Sequence, residues 1–273
     1  MRHTVRAVLL LVPTLAGSCL APPSPPPSQR GQVTPQRPTL SSDTNTTAPG
    51  TVEIEAGVTV DPGDVFGTPL SLKFGVGETT EVFLGWTPVL VIDLPGDDAS
   101  GPSDVVLGTR HRFVEETESR PSFAWQGSIK LPTADVDEGL GTGEVDVSLA
   151  GIATKSLGAL GATAFYSLDL LGNPDESGMD VGHSGALALG APLNDTLGAF
   201  GELAGIFLPE DDAEIVFTTL GLALQVAPWL VVDAAAVVGL SDEAPDLQAV
   251  LGLTHNLGPA GGRRRALPML RAR

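Results

Sequence analysis

Cysteine, basic residues, aromatics and long apolar runs are all scarce in this 273-residue chain, and each scarcity removes a class of function. The single cysteine, Cys19, excludes an internal disulfide framework and a cysteine-cluster zinc site. Four scattered histidines leave little for other metal chemistry, and no cofactor is expected. Fifteen basic residues stand against 33 acidic ones, a net charge of −18, and most of the basic ones sit near the two ends. Residues 51–258 hold six basic and 32 acidic residues, which argues against nucleic acid or an anionic lipid surface as a partner of this stretch. No run of 18 apolar residues follows the N-terminus, so no mature transmembrane helix is expected. With 33 Gly, 23 Pro and only 18% charged residues, the chain is neither a coiled coil nor a highly charged disordered polymer.

The first 50 residues read as an address and a tether. Arg2 and Arg6 precede a short apolar stretch, Ala7 to Leu15, and then Ala16-Gly17-Ser18-Cys19, the pattern of a secretory signal peptide over 1–18. Ala16 and Ser18 suit general signal cleavage. The lone Cys19 immediately after the apolar core also has the placing of a bacterial lipoprotein acylation site. Residues 21–50 carry eight prolines among Ser, Thr, Gln and Asn, so 19–50 is expected to be an extended tether outside any folded unit. The Arg-rich stretch 258–273 is expected to be a solubilising tail.

From residue 51 the hydrophobic period is two. In Val52-Glu53-Ile54-Glu55-Ala56-Gly57-Val58 the even positions are apolar, and the pattern returns at Phe123-Ala124-Trp125-Gln126 and in ten further segments up to Leu257. The connections alternate between longer acidic loops, such as residues 132–144 and 209–214, and short ones such as Gly77-Glu78-Thr79-Thr80. An even number of roughly ten-residue alternating segments with segregated loop lengths predicts an all-β fold: a closed antiparallel outer-membrane-type barrel of about 12 strands over 51–257. A chain entering from the periplasm places the acidic loops outside the cell.

One face of these segments is nearly free of charge, as lipid contact requires. The other collects Glu53, Glu55, Lys73, Glu81, Arg110, Arg112, Gln126, Lys130, Asp146, Asp169, Glu202 and Asp233, which are therefore the candidate lumen-lining residues. The bases lie on early segments and most later acids on the far side, so a transverse field across the lumen is expected, with Arg110 and Arg112 reaching toward Asp146 or later acids. Alternatively these charges pair and fill a narrow interior. Gly139-Leu140-Gly141-Thr142-Gly143 lacks the lysine of a phosphate loop and reads as a loop opening a strand. His183 and Ser184 are adjacent on a strand, point to opposite faces, and form no catalytic pair. No enzyme activity is expected.

The stretch Leu131-Pro132-Thr133-Ala134-Asp135 through Gly139–Gly143 to Asp146 resembles a recurring segment of a bacterial outer-membrane barrel family labelled as transporters or phenol degradation meta-pathway proteins. Ala191–Asp195, Trp229–Ala234, Gly239–Asp246 and Gly252–Leu257 resemble it further. The resemblance implies an outer-membrane location and passive transport of small, hydrophobic or aromatic compounds. Outer-membrane lipids, the barrel assembly machinery and a small-molecule solute are then the expected partners. The competing reading is a lipid-anchored structural or binding barrel with a plugged lumen and no transport.

Overall fold

A computed structural model describes residues 33–62, 65–93, 98–175 and 177–260. The expected signal peptide, Cys19 and nearly all of the Arg-rich tail lie outside these residues. Twelve strands form the wall: β1 (Thr51–Asp61), β3 (Leu70–Gly77), β4 (Thr80–Trp86), β7 (Val105–Val114), β8 (Ser122–Leu131), β9 (Asp146–Leu157), β10 (Leu160–Gly172), β11 (Met179–Pro192), β12 (Leu197–Leu208), β13 (Ala213–Ala227), β14 (Leu230–Gly239) and β15 (Leu247–Pro259). Each pairs antiparallel with its neighbours, and β15 returns to β1 over Thr51↔Pro259 to Val60↔Ala249, so the twelve-stranded wall closes into a barrel.

The alternation of the sequence becomes an inside and an outside. Outward positions such as Leu72, Leu149, Tyr166, Leu187, Leu220 and Leu251 are exposed, whereas the charged side chains of Glu53, Lys73, Glu81 and Arg110 are almost wholly buried. A soluble protein does the reverse. An apolar girdle around a polar interior is stable when the surrounding solvent is hydrocarbon.

Two connections depart from the expected loops. Residues 61–68 and 93–104 contribute β2 (Val65–Gly67) and β6 (Ala99–Gly101), joined by β5 (Leu90–Ile92) into a small extension of β1 at the long-loop end. These runs are three residues long, too short to show a period, yet Val65, Leu90, Ile92 and Ala99 bury against Leu140. Leu140 belongs to the Gly-rich loop. Gly139 and Gly143 flank it at φ of 74° and 75°, a backbone region where only glycine is unstrained.

The larger departure concerns the tether. Residues 33–48 do not stand outside the barrel. They are almost all buried within it. Val33 donates its N–H to Pro228 O in the short β13–β14 turn, and Gly50 donates to Gly75 O on β3, so the segment enters and leaves by the same short-turn end. Its two limbs are braced by a reciprocal pair, Gln36 Nε2 to Asp43 Oδ1 (2.9 Å) and Asp43 N to Gln36 Oε1 (3.1 Å). A Pro-, Ser- and Thr-rich stretch cannot build an apolar core of its own. Inside this barrel it needs none, because the wall offers carboxylates and guanidinium groups to its backbone.

Candidate functional site

The interior is organised around that inserted hairpin. On the β1–β3 wall, Lys73 Nζ lies 2.5 Å from Glu53 and 2.7 Å from Glu55 and donates to Thr34 O at 2.6 Å. Glu53 in turn accepts from Thr34 N (3.0 Å), and Glu55 from Gln36 N (2.6 Å). On β4 and β7, Glu81 accepts from Thr47 N (2.6 Å) and pairs with Arg110 at 3.5 Å. Arg110 also donates to Gln126 Oε1 (3.0 Å) and to the carbonyls of Asp43 (3.3 Å) and Asn45 (3.0 Å). Arg112 donates to Thr44 O (3.2 Å) and pairs with Glu115 on its own chain stretch.

The far side of the hairpin is held by single points. Glu202 on β12 accepts from the N–H groups of Leu40 (2.7 Å) and Ser41 (2.8 Å) and from the Ser41 hydroxyl. Arg37 lies against Gly57 and Gly252, where a Cβ on either would overlap its guanidinium. It reaches Asp233 Oδ2 at 3.3 Å and donates to Leu251 O at 3.1 Å. Gly57 pairs with Gly252 and Gly252 with Asp233, so one row across β1, β15 and β14 forms a seat of two glycines and one acid. A hydrogen bond to a charged group contributes about 1.5–3 kcal/mol, so a dozen of them hold the hairpin firmly.

Toward the long-loop end, Lys130 pairs with Asp146 (2.8 Å) and Asp104 (3.4 Å) and donates to Thr142. Asp104 also accepts from Thr133 N and Ala134 N, which fixes the Gly-rich loop over the mouth. Asp169 accepts from Ser167 (3.1 Å) and Ser184 (2.8 Å). Cavities lie on both sides of the hairpin. One, of about 130 Å³, lies on the long-loop side of Leu40, between Phe165, Ile206, Lys130 and Asp169. The other, of about 150 Å³, lies beside the hairpin toward the short turns, between Thr44, Glu116, Lys155 and Gln225.

All twelve candidate interior residues thus project inward, but their pairing differs from expectation. Glu53, Glu55 and Glu81 neutralise the bases on their own wall, so no basic wall opposes an acidic one. Arg110 and Arg112 do not cross to Asp146, whose partner is Lys130. The inserted hairpin lies between them and supplies carbonyl acceptors at closer range. Arg37 was missed because it sits in a stretch that composition assigns to a tether. Its signal was indirect: Gly57 and Gly252 interrupt strands, and a strand glycine marks a close approach by other groups.

At the short-turn rim, Lys155 Nζ meets Glu116 at 3.0 Å. Burial would raise the Glu116 carboxyl, but hydrogen bonds from the Ser156 N–H, Lys155 and the Ser156 hydroxyl prevail and hold it below the ordinary carboxylate range. His183 bonds Tyr166 on the outer face, while Ser184 serves Asp169 inside. Among the described residues there is no group of His, Cys, Asp and Glu arranged to hold a metal ion.

These features define a membrane-type β-barrel whose lumen is filled at mid-depth by its own N-terminal segment. The chain belongs to the family described as "Putative MetA-pathway of phenol degradation", which matches residues 26–257 and so includes the inserted hairpin. Among solved structures it is similar to the COG4313 outer membrane channel from Pseudomonas putida F1, at 14% identity and a TM-score of 0.64, covering 78% of this chain and 98% of that one. It is also similar to the NanC porin, at 8% identity and a TM-score of 0.54, covering 76% of this chain and all of that one. No curated protein matches the sequence. The likeness establishes the fold: a closed twelve-stranded outer-membrane-type barrel.

Proposed function

We propose that this protein is a passive outer-membrane channel for small apolar or aromatic solutes, held shut by residues 33–48. The observation that carries this reading is the course of the hairpin. Both limbs pass through the short-turn end, so the segment can withdraw as a unit without breaking any wall pairing. The cavities on its two sides would join when it leaves. In this reading residues 1–18 are the export signal, Cys19 is acylated, and the assembly machinery and outer-membrane lipids receive the barrel. The acidic long loops face outward and enrich cations and neutral solutes over anions across about a Debye length, ~8–10 Å.

The test is proteoliposome swelling with small neutral solutes, using the full chain and a variant in which residues 33–48 are replaced by a Gly-Ser linker. The full chain should swell slowly and the variant at least about tenfold faster, the gain a lumen cleared of a blocking segment allows. A second reading, a structural barrel without transport, draws on the density of buried contacts around the hairpin. It prevails if the variant folds and still passes nothing.

A further inference from the structure

The cavity on the long-loop side mixes hydrocarbon with carboxylates. Leu40, Phe165, Leu171, Ile206 and Leu208 present hydrocarbon to it. Among them, Ser167 and Ser184 both donate to Asp169 Oδ2, and Asp169 lines the cavity between Phe165 and Leu171 of β10. The lining contains three carboxylates, Asp104, Asp146 and Asp169, and one cation, Lys130. Lys130 is committed to Asp104 and Asp146, so among the described residues no lysine or arginine neutralises Asp169. An ammonium beside such a carboxylate gains a charge-assisted hydrogen bond that a neutral or anionic head lacks.

We infer that this cavity is a binding site for a small organic ammonium carrying a single apolar ring, with Asp169 as its ionic anchor. The inference rests on the channel reading above and names the solute class that the same lumen favours. Size supports one ring: a cavity of about 150 Å³ lined by Leu, Ile and Phe holds a benzene molecule, and this one measures about 130 Å³. Charge supports ammonium over phenol or carboxylate. A neutral hydroxyl leaves the net negative charge of the lining uncompensated, and a carboxylate adds to it. Phe165 adds an aromatic ring to the lining, and a cation is attracted to such a ring.

The test is isothermal titration calorimetry of the full-length barrel in non-ionic detergent with benzylammonium, benzyl alcohol and benzoate, three rings of similar size with different heads. Benzylammonium should bind at least about tenfold more tightly than either competitor, as a desolvated ion pair does over a neutral hydrogen bond. Asp169→Asn should erase that preference and leave benzyl alcohol within about twofold, since the amide oxygen still accepts from both serines. Should that variant fail to fold, Ser184→Lys places a cation beside Asp169 and should erase the preference equally. Similar affinities for all three probes, tighter binding of benzoate, or a preference that survives both substitutions overturns the assignment. Calorimetry reports the site and swelling reports passage. Binding with the expected preference but no passage therefore overturns the channel reading alone, and passage without the preference overturns only this one.

Discussion

The inner faces of β1, β3, β4 and β7 and those of β10 to β13 belong to one barrel but obey different rules. On the first set, Glu53, Glu55, Lys73, Glu81 and Arg110 are buried and bonded both to one another and to the inserted hairpin. On the second, Ala186, Ala204, Ile206, Ile215 and Phe217 form an apolar surface against which Leu40 packs, and Glu202 is the buried charge. The charged wall binds the backbone of the hairpin because a Ser-, Thr- and Pro-rich chain has donors and acceptors to offer and little else. The apolar wall has only Leu40 and the Glu202 clamp to hold, so its remaining surface is free to line a cavity. The lumen is thus divided along its depth: the inserted hairpin occupies it toward the short turns, and the cavity beyond Leu40 lies toward the long loops.

The largest effect should come from the glycine seat. Gly57→Leu with Gly252→Leu fills the space of the Arg37 guanidinium and also raises strand propensity, so the wall should form while the hairpin is expelled. Planar-bilayer conductance should rise by about tenfold or more, approaching that of the linker variant. Unchanged conductance in a folded double variant would show that Arg37 is not what seats the hairpin. Next in size is the clamp on the other wall. Glu202→Ala leaves the Leu40 and Ser41 N–H groups without their acceptor at a cost of about 2–5 kcal/mol, shared between barrel stability and retention of the hairpin. Glu202→Gln keeps one acceptor oxygen and should lose less than half of that in chemical denaturation. Equal losses for Ala and Gln would mean that the carboxylate acts by charge alone. A smaller change follows from Lys130→Met. It unties the Gly-rich loop from Asp104 and Asp146 and should raise proteolysis between Thr133 and Glu144 while leaving the hairpin contacts intact.

This division also explains what was legible in the sequence. Closure, strand number and the inward direction of twelve polar side chains all follow from a period of two, which is a local property. The partners of those side chains are not local. Arg110 pairs with Glu81 on the adjacent strand, but it also bonds carbonyls 65 and 67 residues away, in a segment whose composition signals no fold. Composition rules judge whether a segment can bury apolar surface of its own, and residues 33–48 cannot. They do not ask whether another part of the chain has built a polar interior that needs filling. The excess of acids on β1 and the glycines opposite one another at 57 and 252 were the traces of that need. β2, β5 and β6 escaped notice for a simpler reason: three residues show no period.

The smallest expected effect separates the lumen from its rim. Glu116 and Lys155 sit in the short-turn region beside the lower cavity, partly exposed and outside the ionic network of the charged wall. Because hydrogen bonds from Ser156 and Lys155 lower the Glu116 carboxyl in the folded state, the pair adds stability at pH values above the unfolded carboxyl's, near 4.5. That contribution fades as the pH falls through the lowered folded value. Solvent screening limits it to about 0–1 kcal/mol. Amide exchange at Ser156, whose N–H donates to Glu116 at 2.8 Å, should therefore be protected near neutral pH and lose that protection as acidification passes the lowered Glu116 value, corrected for intrinsic rates. Glu116→Gln should remove the pH dependence and leave conductance unchanged, since among the described residues no hydrogen bond or ion pair joins Glu116 to the hairpin in the way Glu81 and Glu202 are joined. If acidification opens the channel and Glu116→Gln abolishes that response, the rim is part of the closing device, and the contrast between charged wall and free wall must be redrawn to include it.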